Sequence, residues 1–118
     1  PRKPTPVLQI HGSIDAVVPY DGLLSIMKPV MEVMDYWKTA NDCDEFVHTV
    51  PEIIAGESSW TEIYLFENCL NDTQNIHLKV QGAGHIWPGS KFESIKDPDT
   101  SNQIWEFFSR YDINGVIQ

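Results

Sequence analysis

The sequence predicts an α/β fold in which a few strands, two of them forming a β-hairpin, are flanked by helices. The short apolar run 7–10 is typical of a buried parallel strand. Over 28–41, apolar residues recur at spacings of three and four, as they do on one face of a helix. The runs 60–69 and 76–80 alternate between two faces and flank the turn signal 71–72, which predicts the hairpin.

Residues that interrupt or cap helices predict where these elements end and where loops connect them. Pro29 is tolerated in a first turn, so we start the main helix near Lys28 and end it near Asn41. Residues 42–59 are mixed in character and are predicted to be mostly loop, as are 88–98.

A last helix is predicted near the end of the chain. Asp99 or Ser101 can cap it, and Asn114-Gly115 ends it. Its expected apolar face consists of Ile104, Trp105, Phe108 and Tyr111.

Size and charge limit the classes of function. The 118 residues are treated as one domain, 1–118, and the absence of an initiator Met leads us to expect the C-terminal part of a longer protein. A net charge of −9 disfavours nucleic acid and anionic membrane surfaces as partners. No apolar run approaches the roughly 18 residues of a membrane span.

The two cysteines, Cys43 and Cys69, form either one disulfide or two buried free thiols. A bond between them would close a loop that contributes about 3.5 kcal/mol in the chain-entropy model. Pairing would indicate an oxidising compartment. Spacing alone leaves both states open.

Two motifs follow strand-like runs and place chemically active side chains at strand ends. His11-Gly12-Ser13-Ile14-Asp15 presents an acid, and Gly82-Ala83-Gly84-His85 presents an imidazole after two glycines that allow unusual backbone angles without strain. Alone, an aspartate in a loop more often caps its own turn, and a histidine there more often caps a tight turn. Together, acid first and histidine second, they match the last two members of the Ser, Asp, His order of α/β-hydrolases.

The first member of that triad is expected upstream of residue 1. No Gly-x-Ser-x-Gly elbow occurs, and Ser13, Ser58 and Ser90 lack motif support. Trp87 is expected to form one wall of the substrate site.

The other histidines and the remaining motifs give no further site. We interpret His11 as structural and hydrogen-bonded to nearby backbone, and His48 and His77 as incidental, with His77 facing solvent. No His or Cys pair has zinc-site spacing, and no phosphate-binding loop is present, so neither a metal nor a cofactor is expected.

Three stretches resemble the polyhydroxybutyrate depolymerase and feruloyl (acetylxylan) esterase group of α/β-hydrolases, often called LpqC-like. They are the run 7–20, the Trp37 helix that leads to Cys43, and the loop 82–89; the ending 104–108 fits as well. The motif Gly-x-Gly-His-x-Trp-Pro-Gly is the most specific part.

The resemblance implies that Asp15 is the catalytic acid and His85 the catalytic base of a secreted or periplasmic esterase without cofactor. Its substrates would be polyesters or acylated polysaccharides, cleaved through an acyl-serine. Cys43 suits the family's disulfide habit, and Ala83, where the family often has glycine, leaves the role of His85 intact. The serine and both oxyanion donors would lie upstream, so the isolated chain is expected to be inactive.

Two other functions compete with this one. The chain could be a binding or assembly module without chemistry, which self-associates through an exposed edge of the strand 7–10. It could also be part of a prolyl-oligopeptidase-type peptidase, which shares the His-Gly-x-x-Asp loop. The Trp-Pro-Gly after His85 and the cysteine pair argue against the peptidase.

Overall fold

The computed structural model describes residues 3–53 and 55–117. In chain order, its helices and strands are β1 Val7–Gly12, α1 Val30–Ala40, β2 Glu45–Thr49, β3 Trp60–Glu67, β4 Asn75–Gln81, α2 Thr100–Phe108, β5 Tyr111–Asp112 and β6 Gly115–Val116. A short 3-10 turn, Leu70–Asp72, joins β3 to β4.

Four of the strands form one mixed sheet in the order β1-β4-β3-β2. β4 is parallel to β1 and antiparallel to β3, which in turn is antiparallel to β2. The predicted hairpin of residues 60–69 and 76–80 is therefore confirmed. Because β1 and β4 are parallel neighbours, the loops after both strands leave the sheet at the same edge, called the rim below.

α1 covers one face of this sheet. Val30 and Met34 are buried there together with Tyr20 and Phe66. The helix begins two residues after the predicted start, with Pro29 at the position before its first turn. The structure pairs Cys43 with Cys69, a sequence separation of 26, and this disulfide belongs to the same core.

α2 packs near β1, and Asp99 caps it as predicted, accepting a hydrogen bond from the Asn102 amide at 3.1 Å. The predicted apolar face is wrong in part, because Trp105 is 72% exposed while Phe107 is buried. The helix also ends at Phe108, earlier than predicted. The ring of Phe107 packs against Tyr111 of β5, and the last residues form the small β5–β6 hairpin.

Two further predictions are wrong. Residues 45–49 are not loop but form the edge strand β2. All five residues are exposed, so the sequence has no alternation of buried and exposed positions that would have predicted a strand. His77 does not face solvent. It is fully buried, because β4 is the interior strand between β1 and β3, and Tyr20 and Tyr64 stack on its ring.

Candidate active site

The loop that follows β1 is tied to the end of β4. Gly12 is buried so close to the next loop that a Cβ atom there would collide with the carbonyl oxygen of Ala83. Two amides then anchor the start of the loop: Ser13 donates to the carbonyl of Val80 at 3.0 Å, and Ile14 donates to that of Ala83 at 3.0 Å. The position of the first loop therefore depends on that of the second.

The loop that follows β4 presents a histidine at the same rim. Gly82 has a φ of +83°, in the left-handed region that favours glycine, and its amide donates to the Ser13 hydroxyl at 2.9 Å. Ala83 is fully buried, whereas the side chain of His85 is 57% exposed. The base of the loop is fixed, and the imidazole reaches solvent.

Asp15 and His85 meet at this rim. Oδ2 of Asp15 lies 2.9 Å from Nδ1 of His85. Because an ionised carboxylate can only accept, Nδ1 carries the proton and donates it. Nε2 is then the basic atom of the neutral ring, and no group in the described part of the chain is hydrogen-bonded to it.

The other carboxylate oxygen of Asp15 closes the loop's own turn. Oδ1 accepts from the amides of Val17 at 2.9 Å and Val18 at 2.8 Å. Burial by itself raises the pKa of Asp15, but hydrogen bonds from Val18, His85 and Val17 outweigh it and hold the pKa below its ordinary value. Oδ1 of Asp15 thus caps the turn of its own loop, and Oδ2 binds the histidine.

His11, on β1, supports the loop that carries Asp15, residues 13–20, called the acid loop below. Its Nε2 donates to the carbonyl of Val18 at 2.7 Å, and its Nδ1 accepts from the Gln9 amide at 3.3 Å. The prediction of a structural histidine that is hydrogen-bonded to backbone is confirmed. Its ring also lies 3.6 Å from Oδ2 of Asp15, so it lines the floor beneath the carboxylate.

Trp87 stands two residues beyond His85 and is half-exposed. Its indole N–H donates to the hydroxyl of Ser101 on α2 at 3.2 Å, which ties the histidine loop to that helix. A cavity of about 250 Å³ lies alongside. It is lined by Leu8, Gln9, Ile10, Ile86, Trp87, Pro88, Thr100 and Ile104.

No serine or other nucleophile in the described residues is hydrogen-bonded to His85. Ser13 is the serine nearest in sequence to Asp15, and its hydroxyl accepts a hydrogen bond from the Gly82 amide. The hydroxyl of Ser90 likewise accepts from the Phe92 amide at 3.2 Å.

Within residues 3–53 and 55–117, no three or more His, Cys, Asp or Glu side chains gather in a way that could hold a metal ion. Neither described helix has the length and apolar character that crossing a bilayer requires.

A second histidine–carboxylate pair, which the sequence analysis missed, lies on β2 and β3. Glu62 accepts from His48 at 2.9 Å, from the Trp60 indole at 3.0 Å and from the Gln81 amide at 3.0 Å. Burial raises the pKa of Glu62, but these three hydrogen bonds outweigh it and lower the pKa overall. Only recognition of β2 as a strand would have revealed the pair, because β2 brings His48 beside β3.

Comparison with known proteins gives one distant relative. No protein-family model matches the chain, and no solved structure matches it. Among curated proteins, it is similar to the bifunctional acetylxylan esterase/xylanase XynS20E of Neocallimastix patriciarum, with 25% identity over 116 residues. The match covers 98% of this chain and 15% of that protein. The chain therefore has a distant relationship to an esterase-containing protein.

Proposed function

We propose that this chain supplies the acid and the base of a Ser–Asp–His triad in a carboxylic-ester hydrolase. The serine would come from a part of the same protein that precedes residue 1, in the chain order of α/β-hydrolases. The observation that carries the proposal is the 2.9 Å hydrogen bond between Asp15 and His85, while no described residue is hydrogen-bonded to Nε2 of the histidine. The similarity to an acetylxylan esterase/xylanase supports an ester-hydrolysing parent.

In this mechanism, His85 is the general base. Its Nε2 would take the proton of the serine hydroxyl as the serine attacks the ester carbonyl, and would return it to the leaving alcohol. Asp15 holds the tautomer with Nδ1 protonated and stabilises the imidazolium that forms. The two amides on its other oxygen keep the carboxylate ionised and in place.

Trp87 is proposed to line the acyl or alcohol side of the substrate site. Trp87 follows His85 by two residues, its ring is half-exposed, and its N–H is already bonded to Ser101. The indole therefore offers a fixed apolar surface without an unpaired donor.

The geometry favours ester hydrolysis over cleavage of glycosidic bonds, the other activity in the relative's name. A glycosidase needs two carboxyl groups that flank the scissile bond. The side chain of Asp15 is only 6% exposed, and both its oxygens already accept hydrogen bonds. It is placed to orient an imidazole rather than to act on a glycosidic bond.

The fold and the disulfide agree with a secreted α/β-hydrolase. In this proposal, residues 1–118 are the C-terminal portion of the catalytic domain, and the parallel β1–β4 pair carries the acid and base loops. The Cys43–Cys69 bond indicates an oxidising compartment, so the protein is proposed to be extracellular or periplasmic.

The test uses the protein that carries this chain together with its upstream region. Hydrolysis of p-nitrophenyl acetate and labelling by a fluorophosphonate would be measured for the wild type and for His85→Ala. We expect labelling of one serine in the wild type, and a loss of turnover of at least about 10³-fold in the variant.

His48→Ala is the matched control. His48 also donates to a buried carboxylate at 2.9 Å, but it lies on β2, which β3 separates from β4, and it is hydrogen-bonded to neither Asp15 nor His85. We expect its turnover to equal that of the wild type. Undiminished turnover in His85→Ala would rule out the proposed base.

A second candidate, self-association, rests on the edge of the sheet. β1 pairs with β4 on one side, and no described strand pairs with its other side. Unpaired backbone groups of an apolar edge strand can bind a strand of another copy.

A further inference from the structure

A buried tyrosine–histidine pair lies beneath the acid loop. The hydroxyl of Tyr20 is 2.8 Å from Nε2 of His77, and Nδ1 of His77 is 2.9 Å from the carbonyl oxygen of Gln9. Tyr20 and His77 are both buried, His77 completely. The proposed triad uses neither residue.

The protons of this pair can be assigned from its acceptors. The Gln9 carbonyl can only accept, so Nδ1 of His77 donates. In the neutral ring Nε2 is then an acceptor, and the Tyr20 hydroxyl must donate to it. Burial lowers the pKa of His77 to about 4, which keeps the ring in this neutral form at physiological pH.

Tyr20 is the point at which the acid loop returns to the body of the protein. The carbonyl of Tyr20 accepts from the Val30 amide at 2.9 Å, and the Lys79 ammonium lies 4.4 Å from the centre of its ring. The amides of Val17 and Val18, which hold Oδ1 of Asp15, come only three and two residues before it. The position of Tyr20 therefore sets where those two amides lie.

We infer that Tyr20 and His77 are positioning residues for the catalytic acid. Ser13 fixes the first end of the loop to Val80 of β4, and the Tyr20–His77 bond fixes the other end to the same strand. Asp15 is held between these anchors with Oδ2 aimed at His85. The catalytic meaning of this inference rests on the proposed function, whereas the structural coupling from His77 to His85 does not.

NMR of the 118-residue chain tests the coupling without any enzyme activity. The Nδ1 proton of His85 reports on its bond to Asp15. In Tyr20→Phe, which keeps the ring and removes the hydroxyl, we expect this proton to shift and to exchange with solvent about fivefold faster, as for one lost hydrogen bond.

Tyr64→Phe is the matched control. Tyr64 also stacks on His77, with ring centres 5.3 Å apart, but it belongs to β3 and is not part of the acid loop. Its replacement should leave the His85 signal unchanged. An unchanged signal in Tyr20→Phe, or an equal change in both variants, would overturn the inference.

Replacement of His77 gives an independent test that does not depend on the folding of Tyr20→Phe. Glutamine places an oxygen near the position of Nε2 and can still accept from Tyr20, whereas asparagine reaches only to the position of Nδ1. We expect His77→Gln to retain the His85 signal and His77→Asn to behave like Tyr20→Phe. The reverse order would contradict the assigned roles.

The complete protein then separates this inference from the proposed function. We expect Tyr20→Phe to lower kcat about fivefold to tenfold with KM unchanged, because Asp15 acts on the transition state and not on substrate binding. If the complete protein has no esterase activity but Tyr20→Phe still shifts its His85 signal, the proposed function is refuted and the positioning role stands. If Tyr20→Phe leaves both kcat and the His85 signal of an active protein unchanged, the positioning role is refuted and the proposed function stands.

Discussion

Oδ2 of Asp15 accepts a hydrogen bond at 2.9 Å from Nδ1 of His85, a residue seventy positions further along the chain. The two residues meet because β1 and β4 are adjacent and parallel, so that the loops after them start from one edge of the sheet. The acid is buried and fixed by two amides, while the imidazole is more than half exposed. This division of roles is what a general base with an orienting partner requires.

Asp15→Asn should abolish most of the activity of the complete protein. An amide at this position can donate to Nδ1 of His85 and so favour the tautomer with its proton on Nε2, which cannot act as a base. We expect kcat for p-nitrophenyl acetate to fall about 10⁴-fold. Asp35→Asn, on the exposed side of α1, is the control and should keep full activity. Comparable kcat values in the two variants would contradict the role of Asp15.

Acid should destabilise the chain partly through Asp15. Its pKa is lower in the folded state than in the unfolded chain, where it is about 3.9. The carboxylate thus contributes stability that is fully present above that pH and is lost as the pH falls through the folded-state value. Urea unfolding from pH 7 to pH 2.5 should show that the stability gap between wild type and Asp15→Asn narrows in acid. A gap that stays constant with pH would be inconsistent with this linkage.

Reduction of the Cys43–Cys69 disulfide should destabilise the fold. The bond closes a segment with a sequence separation of 26, which corresponds to about 3.5 kcal/mol in the chain-entropy model. Urea unfolding of the oxidised chain and of the Cys43→Ser, Cys69→Ser double variant measures this difference. Equal midpoints would show that the bond does not constrain the unfolded chain.

The isolated 118-residue chain should not hydrolyse p-nitrophenyl acetate above background. In the proposed function it lacks the serine, and triad members act as a unit. The wild type and His85→Ala should give the same slow rate. Clear activity that disappears in His85→Ala would mean that a nucleophile within these residues reaches Nε2.

The edge of β1 that pairs with no described strand should make the isolated chain self-associate. Sedimentation velocity over a hundredfold range of concentration should show a monomer in exchange with a dimer, formed by pairing of the two β1 edges. In the complete protein this edge would be covered, and the exchange should be absent. A chain that stays monomeric throughout the range would remove the assembly hypothesis.

Local sequence patterns predict much of this fold. Strand β1, helix α1 and the β3–β4 hairpin could be predicted because helices and strands differ in the spacing of their apolar residues, and because turn residues mark the ends of these elements. The closeness of Asp15 and His85 could be anticipated from their positions just past two strands. Their catalytic roles, and the assignment to an α/β-hydrolase, stay predictions.

The errors have a common physical source, because they concern residues whose environment is made by distant parts of the chain. β2 is exposed at every position, and only pairing with β3 makes it a strand. His77 lies on an alternating run, and its burial follows from the interior place of β4 and from Tyr20, which is 57 residues away in the chain. Phe107, rather than Trp105, faces inward because Tyr111 returns in the small hairpin.

β4 is the last strand of the main sheet to be synthesised, yet it lies between β1 and β3. Its pairings with both neighbours complete the sheet, and they can form only after β1, β2 and β3 have been synthesised. The contact between the acid and the imidazole can form only after that step. The proton on Nδ1 of His85 would then serve as a marker for the pairing of β1 with β4, and substitutions that weaken either strand would delay its appearance.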